Sequence, residues 1–75
     1  MLSDKEIRDN VRANLIRLRK ASGHSQADVG RYVGKSENAV GSWEQGLSLP
    51  DLVTLVKLSK YYGVSIDDIY GGIDL

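Results

Sequence analysis

Five glycines divide most of the chain into short segments, and each segment opens with a side chain that can cap a helix. Glycine best fits the left-handed cap at the C-terminal end of a helix. Ser and Asp are good N-cap residues, and three openings read Ser-x-x-Glu or Ser-x-x-Asp, the pattern of a capping box. The glycines are Gly23, Gly34, Gly46, Gly63 and Gly71, and the capping residues are Ser3, Ser25, Ser36, Asp51 and Ser65.

This arrangement predicts five short helices joined by short turns. No run alternates between apolar and polar residues for long enough to indicate a strand. We therefore expect an all-α fold with one domain over residues 1–75. The predicted helices cover about residues 4–21, 26–33, 37–45, 52–62 and 66–70.

The composition limits the classes of protein to which the chain can belong. It has 75 residues, no cysteine and one histidine, so we expect no disulfide, no metal site and no cofactor. An apolar fraction of 41% suits a globular domain. No segment approaches about 18 uncharged apolar residues, and the N-terminus is too polar for a secretory signal. We therefore expect a cytoplasmic protein with no membrane segment.

The charges are distributed unevenly although the net charge is zero. Residues 1–35 carry eight Lys and Arg against four Asp and Glu, whereas residues 61–75 carry three Asp and no basic residue. One interpretation is scattered, solvated charge. The other is a basic face for an anionic partner, with an acidic end held away from it.

Apolar spacing predicts the buried faces of the first and fourth helices. In the first helix, Ile7, Val11, Leu15 and Leu18 follow one another at steps of four, four and three, which places them on one face. The predicted face of the fourth helix carries Leu52, Leu55, Val56, Ser59 and Tyr62.

The second and third helices, within residues 25–46, have the features of a helix-turn-helix unit. Val29 and Val33 are four residues apart and point to the core, and Gly30 between them allows a close approach of the next helix. Gly34 provides the backbone freedom that a turn of three or four residues needs.

The sequence of the third helix predicts an outer surface of small, polar side chains. Val40 and Trp43 are three apart and face the core, while the opposite side carries short hydrogen-bonding side chains and no large apolar ones. Such side chains suit contact with base edges in a major groove, although an ordinary solvated surface has the same pattern. The outward residues are Asn38, Gly41, Ser42 and Gln45.

Glu44 lies beside the apolar stripe of the third helix and next to Trp43. A half-buried carboxylate needs a cationic partner. Arg19, adjacent to Leu18 in the first helix, is the expected partner, and the pair would fix the angle of the third helix. The alternative is that Glu44 is an exposed residue at a helix end.

The chain resembles the Cro/repressor-type helix-turn-helix family, also called the XRE family, from residue 15 to about residue 71. The similarity lies in "LIRLRKASGHSQADVGRYVG", "SENAVGSWEQG", "LPDLVTLVKLSKYYGVS" and "IDDIYG". The resemblance implies a lambda-repressor-like fold. It also implies a transcriptional regulator, expected here to be a repressor, that binds double-stranded operator DNA as a homodimer through its third helix.

The resemblance also implies roles for particular residues. Base-reading positions match Glu37, Asn38 and Ser42, whereas Gln26 matches a residue that contacts phosphate and supports base contacts. Gln45 matches a phosphate-contacting position. Arg19 and Glu44 match a buried ion pair.

Positive charge for the phosphates must come from outside the third helix, which has no Arg or Lys. We expect Arg31 and Lys35 to supply it because they lie nearest the predicted groove. The backbone N–H groups at Gln26 and Ser36, where two helices begin, add further phosphate donors.

Two residues depart from the family pattern. His24 occupies a usually apolar position, where we expect a half-buried packing histidine. Gly41 inside the third helix costs roughly 1 kcal/mol relative to Ala, and it either removes a base contact or permits close approach to DNA.

Other classes of function are less compatible with the sequence. "GSWEQGLS" is similar to a phosphate-binding loop, but Leu47 replaces the essential Lys and no strand precedes it, so we do not expect an enzyme. The alternative kept open is a protein-interaction module on the same fold, similar to an antitoxin or antirepressor. We expect no small-molecule ligand domain.

The C-terminal segment, residues 66–75, predicts a contact between two copies of the chain. Tyr70, Ile73 and Leu75 are apolar residues with little of their own chain to cover them. The alternatives are a homodimer through this segment and a frayed C-terminus.

Overall fold

The computed structural model describes residues 2–71, and this part of the chain contains five helices and no strand. The prediction of an all-α, five-helix fold is therefore confirmed. The first helix is one residue longer and the third one residue shorter than predicted. The helices are α1 (Asp4–Ser22), α2 (Gln26–Val33), α3 (Glu37–Glu44), α4 (Leu52–Tyr62) and α5 (Ile66–Tyr70).

Side-chain caps determine where the helices begin. The hydroxyls of Ser3, Ser25 and Ser65 each accept a hydrogen bond from the backbone N–H three residues later, and a carboxylate at that residue accepts one from the serine N–H. Ser36 and Asp51 accept the equivalent bond at the starts of α3 and α4. Each cap satisfies an N–H that has no partner within its helix, so these starts are fixed by local sequence.

Gly71 does not adopt the left-handed conformation that the sequence predicts for it. Its φ is −77°, since its N–H donates to the carbonyl oxygen of Asp67 at 2.7 Å and continues the helical pattern of α5. The prediction is correct for the other four glycines named above, which have φ between 67° and 75°.

The core lies where α1 packs against α3 and α5, and where α2 packs against α3 and α4. Asn14 of α1 also donates a hydrogen bond from Nδ2 to the carbonyl oxygen of Ile69 at 2.8 Å, which ties α5 to α1. The predicted face of α1 is correct, because Ile7 and Leu18 pack against its buried members. The buried apolar residues are Val11, Leu15, Val29, Val33, Val40, Trp43, Leu58 and Ile69.

The predicted buried face of α4 is wrong in part. Leu52 and Val56 are 71% and 40% exposed, whereas Thr54 and Leu58 are buried. Apolar residues surround most of this helix, so their spacing does not single out one side. The side that packs is chosen by contact with α2 and α5, which the periodicity of α4 does not contain.

Candidate nucleic-acid interface

The turn between α2 and α3 passes directly over Gly30. A Cβ atom at this residue would lie 2.6 Å from the carbonyl oxygen of Lys35, which is closer than real Cβ atoms come. The Lys35 N–H donates to the carbonyl oxygen of Gly30 at 2.8 Å. Gly30 therefore permits a close approach, as predicted, although the approaching backbone is the turn at Lys35 and Ser36 rather than α3 itself.

The outer face of α3, formed by Glu37, Asn38, Ser42 and Gln45, lies opposite its buried apolar residues. Glu37, Asn38 and Gln45 are exposed and Ser42 is half-buried. Because the faces are separated by helix geometry, burial of Val40 and Trp43 orients the polar side chains toward solvent. Ser42 Oγ also lies 2.7 Å from Ser48 Oγ, so one of these hydroxyls donates to the other.

Gly41 is buried, which corrects its predicted place on the outer face. A Cβ atom here would lie 3.5 Å from Oε1 of Gln26 and 3.8 Å from Nε2 of Gln45. The two long amide side chains therefore cover this turn of α3. The predicted outer face was drawn from the spacing of α3 alone, whereas the side chain nearest to Gly41 comes from the start of α2.

The C-terminal end of α3 is held by a bidentate ion pair with α1. Arg19 donates from Nε to Oε2 of Glu44 at 2.7 Å and from Nη2 to Oε1 at 2.8 Å. Glu44 is only 7% exposed, which is more buried than the sequence suggests. The hydrogen bond with Glu44 raises the pKa of Arg19, so the guanidinium stays charged at neutral pH.

Gln26 joins the same cluster from the first residue of α2. Its Nε2 donates to Oε1 of Glu44 at 3.2 Å, while Arg19 also donates from Nη1 to the carbonyl oxygen of His24 at 3.1 Å. The start of α2, the end of α3 and the end of α1 thus meet at one carboxylate. The sequence did not indicate the bond between Gln26 and Glu44, because each residue already had another predicted partner.

The two predicted phosphate-binding cations each contact a surface carboxylate. Arg31 pairs with Asp28 within α2, and Lys35 Nζ lies 3.6 Å from Oδ2 of Asp51. These side chains are exposed, so the pairs are weak and each cation can exchange its carboxylate for a phosphate. Both carboxylates also cap helices, and hydrogen bonds from the Ser25 and Thr54 backbones lower the pKa of Asp28 and Asp51.

His24 is exposed, which corrects the prediction of a half-buried packing histidine. Its Nδ1 contacts the Tyr61 hydroxyl, and the two rings lie 5.4 Å apart between centroids. The Tyr32 ring also lies close, 4.5 Å from that of Tyr61 between centroids. The position is at the rim of an aromatic cluster between α2 and α4, and such pairing across helices has no signal in local sequence.

Within residues 2–71, no three His, Cys, Asp or Glu side chains are placed to hold a metal ion. In the same part of the chain, no helix is long and apolar enough to cross a membrane.

Comparison with known proteins identifies the family. The model of a helix-turn-helix family matches residues 15–69, so the chain belongs to this family of XRE-type helix-turn-helix transcriptional regulators. The geometry above agrees with this assignment, since α2, the turn and α3 form the helix-turn-helix unit. Members of the family are generally not enzymes.

Individual relatives align with more than two thirds of this chain. A prophage-derived HTH-type transcriptional regulator of Bacillus subtilis, YonR, is 38% identical over 58 residues, covering 77% of this chain and 54% of that protein. The transcriptional activator BcrR of Enterococcus faecalis is 30% identical over 81% of this chain and 30% of its own length. The chain thus spans about half or less of these relatives.

A solved structure has the same fold. A transcriptional regulator from Listeria innocua superimposes with a TM-score of 0.80 at 26% sequence identity, covering 87% of this chain and 61% of that one.

Proposed function

We propose that residues 1–75 form a single DNA-binding domain that recognises operator DNA by placing α3 in the major groove. Family membership supports DNA binding in general. The single observation that carries the finer proposal is the polar outer face of α3 on a helix whose other side is anchored by Trp43 and the Arg19–Glu44 pair. Recognition requires such a rigid helix, because base contacts depend on a fixed angle in the groove.

Three residues of the outer face are proposed to contact bases. Asn38 is exposed near the start of α3, and its amide can donate to and accept from adenine. Glu37 is exposed one residue earlier and can accept from the amino group of cytosine. Ser42 already shares one hydrogen bond with Ser48, but a hydroxyl has a donor and two acceptor lone pairs, so it can contact a base as well.

Contacts to phosphate are proposed along the helix-turn-helix unit, at its turn and at its two ends. Arg31 and Lys35 supply charge once they leave Asp28 and Asp51. The backbone N–H groups after Ser36, where α3 begins, are proposed as further donors to phosphate. The side chains of Gln26 and Gln45, which cover Gly41, complete the proposed phosphate-contacting set.

We further propose that the protein acts as a cytoplasmic homodimeric repressor. A monomer makes few cationic contacts with phosphate, so its affinity for DNA should be modest. Two copies of α3 that read half-sites about one helical turn apart would raise this affinity. Occupying an operator is sufficient to block a promoter, whereas activation requires a further contact with the transcription machinery. One relative is named as an activator, so a promoter-reporter assay, with repression as the expected outcome, tests this part separately.

Selection of binding sites from a random duplex library tests DNA recognition directly. We expect enrichment of one short sequence arranged as two half-sites. Binding to unrelated duplexes should be weak at low salt and should fade as salt is added, with a slope of about −0.9 per phosphate contact. Absence of both enrichment and salt-dependent binding would contradict the proposal.

A protein-interaction module on the same fold is the second candidate function. It is favoured by the zero net charge and by several exposed apolar side chains on α4 and the preceding loop. Such a module should show no binding to random duplex DNA at low salt, so the same titration separates the two functions.

A further inference from the structure

The C-terminal end of α3 has no basic residue of its own. Residues 36–56 contain no Lys or Arg, although they include all of α3 and the loop that follows it. Arg31 and Lys35, which are proposed above to contact phosphate, both lie before α3 in the chain. A DNA backbone that passes the end of α3 would therefore need its positive charge from another helix.

One basic side chain of α1 reaches this end of α3. A Cβ atom on Gly46 would lie 3.3 Å from Cδ of Arg12 and 3.6 Å from its Nε. Gly46 has a φ of 75°, a conformation that favours glycine, and the missing side chain leaves room for the Arg12 stem. The Arg12 guanidinium therefore lies beside the residue that follows Gln45.

The anchor between α1 and α3 fixes this contact. Arg12 and Arg19 are seven residues apart in α1, so at about 100° per residue they lie within about 20° of each other on one side of the helix. Arg19 holds Glu44 through two hydrogen bonds, and Arg12 lies about 10 Å earlier along α1. One side of α1 thus supplies two arginines to the end of α3, of which the earlier contacts Gly46 and the later binds Glu44.

The two arginines differ in their partners. Glu44 neutralises Arg19, whereas no ion pair of Arg12 is present in the described part of the chain. Asp9 lies three residues before Arg12, and its carboxylate accepts a hydrogen bond from Lys5 at 2.8 Å. That hydrogen bond is the main reason why the pKa of Asp9 is lowered, and the charge of Arg12 contributes less. Since Arg12 is only half-buried, its guanidinium is available to an external anion.

Helix α5 packs on another side of α1. Asn14, which donates to the carbonyl oxygen of Ile69, lies about 160° around the helix from Arg12. Ile69 is fully buried there, and Tyr70 is half-buried against the core. The other residues of the dimer contact that the sequence predicts lie outside the described part of the chain, and these are Ile73 and Leu75. The acidic helix α5 and the Arg12 guanidinium therefore occupy different sides of α1.

We propose that Arg12 binds a phosphate of the DNA backbone beside the C-terminal end of α3, a proposal that rests on the DNA-binding function proposed above. A guanidinium can donate through two parallel N–H groups to two phosphate oxygens. Gln45 is exposed one residue before Gly46, so its amide and the Arg12 guanidinium would bind the same stretch of backbone. Positive charge at Arg12 would then act at the end of α3 opposite to Lys35.

The contact would extend the DNA interface beyond the part of the chain that the family model matches. That match covers residues 15–69, and Arg12 lies before it in the first half of α1. Phosphate contacts on both sides of the outer face of α3 would fix how this helix lies in the groove, because two separated contacts define an orientation and one does not. Helix α1 would thus bind DNA as well as anchor α3.

Binding of a random DNA duplex at several salt concentrations tests the proposal. Arg12→Met removes the charge and keeps an unbranched apolar stem over Gly46, so this variant should remain folded. Its plot of log affinity against log salt should be shallower by about 0.9 for each bound copy. The loss of affinity should be about five- to tenfold near 0.1 M salt and should vanish toward about 1 M. Arg12→Lys keeps the charge and should restore the slope.

Arg17→Met is the matched control. Arg17 is exposed on α1, about 140° around the helix from Arg12, and its Nη2 donates to Oδ1 of Asn14 at 3.1 Å. This variant should keep the slope of the unmodified chain. Urea unfolding of each variant separates the loss of a DNA contact from a loss of the fold.

A second measurement uses the unmodified chain, so it does not depend on the folding of a variant. Phenylglyoxal reacts with accessible guanidinium groups, and mass spectrometry of the digested protein gives the rate at each arginine. Bound duplex should slow the reaction of Arg12 and leave that of Arg17 unchanged. The same rate at Arg12 with and without duplex would overturn the proposal, as would a loss of affinity in Arg12→Met that is equal at all salt concentrations.

The Arg12 contact and the DNA-binding function fail in different ways. If the unmodified chain binds duplex DNA and Arg12→Met has the same slope, the DNA-binding function stands and the Arg12 contact is wrong. If the unmodified chain shows no salt-dependent binding to duplex DNA, the DNA-binding function is wrong and the Arg12 contact falls with it.

Discussion

The two ends of α3 have opposite environments although the helix is only eight residues long. At the N-terminal end, Glu37 and Asn38 are exposed. At the C-terminal end, Trp43 is buried and Glu44 accepts three hydrogen bonds from Arg19 and Gln26. The same residue type, glutamate, is thus an exposed side chain at one end and the centre of a buried polar cluster at the other.

This difference separates the role of positioning α3 from the role of contacting a ligand. Residues at the anchored end fix the helix relative to α1 and α2, so changes there should affect stability first. Residues at the exposed end lie outside the buried core, so changes there should affect binding more than stability. Four substitutions test this division, beginning with the largest expected effect.

Replacing Glu44 by Ala should destabilise the fold by about 3–5 kcal/mol, because the Arg19 guanidinium would remain largely buried without its carboxylate. Thermal or urea unfolding measures the loss. Glu37→Ala removes the same side chain from the exposed end and should change stability by less than about 0.5 kcal/mol. Similar losses in the two variants would show that the ends of α3 do not differ in this way.

Replacing Gly30 by Ala should destabilise the fold by about 1–3 kcal/mol, because the new methyl group collides with the Lys35 carbonyl at the entry to α3. Gly41→Ala is the matched control. Its methyl group meets only flexible glutamine side chains at 3.5 Å or more, and Ala favours a helix over Gly by about 1 kcal/mol. Urea unfolding should therefore give opposite signs, or a loss for Gly30→Ala alone.

Replacing Asn38 by Ala should weaken binding to the selected operator by about 1–3 kcal/mol and leave the unfolding transition unchanged. The amide is exposed, away from the buried core. Fluorescence anisotropy with the operator and with a random duplex provides the comparison, because only operator binding should change. Full operator affinity in this variant would remove Asn38 from the proposed base contacts.

The smallest effect is expected at high pH, from Tyr62. Burial, together with the negative charge of Glu44, raises the pKa of Tyr62 from 10.0 to about 12. A raised pKa means that folding favours the protonated phenol. Its contribution to the free energy of unfolding is therefore complete below pH 10 and is lost as the pH rises through about 12. Tyr62→Phe should flatten the fall in stability over this interval, measured by urea unfolding at successive pH values, whereas Tyr32→Phe at an exposed position should not.

The sequence predicted the helices well because their ends are determined locally. Ser25 and Asp28 form a capping box within four residues, and Ser36 caps α3 in the same way. The ion pair of Arg19 with Glu44 is present as expected. Its prediction needed only a buried carboxylate and a cation at a suitable position in α1. The base and phosphate contacts remain predictions.

Three of the wrong predictions share one physical origin, which is contact with a residue from another part of the fold. The spacing of α3 predicted that Gly41 lies on the outer face, but Gln26 from α2 covers it. The spacing of α4 predicted that Leu52 and Val56 are buried, whereas Thr54 and Leu58 are buried instead. His24 is exposed, and its contact with Tyr61 joins residues that are 37 positions apart in the chain. None of these neighbours is contained in the periodicity of a single helix.

The sequence by itself determined five helices, their bounds to within a residue and the helix-turn-helix unit, because caps, turns and apolar repeats act over three or four residues. Only the tertiary structure decided that Gln26 joins Glu44, that Gly30 lies beneath the turn and that one apolar side of α4 is left exposed. These outcomes depend on which surfaces of different helices meet. Contacts between helices are determined by the packing of the whole core, and no local stretch of sequence contains this information.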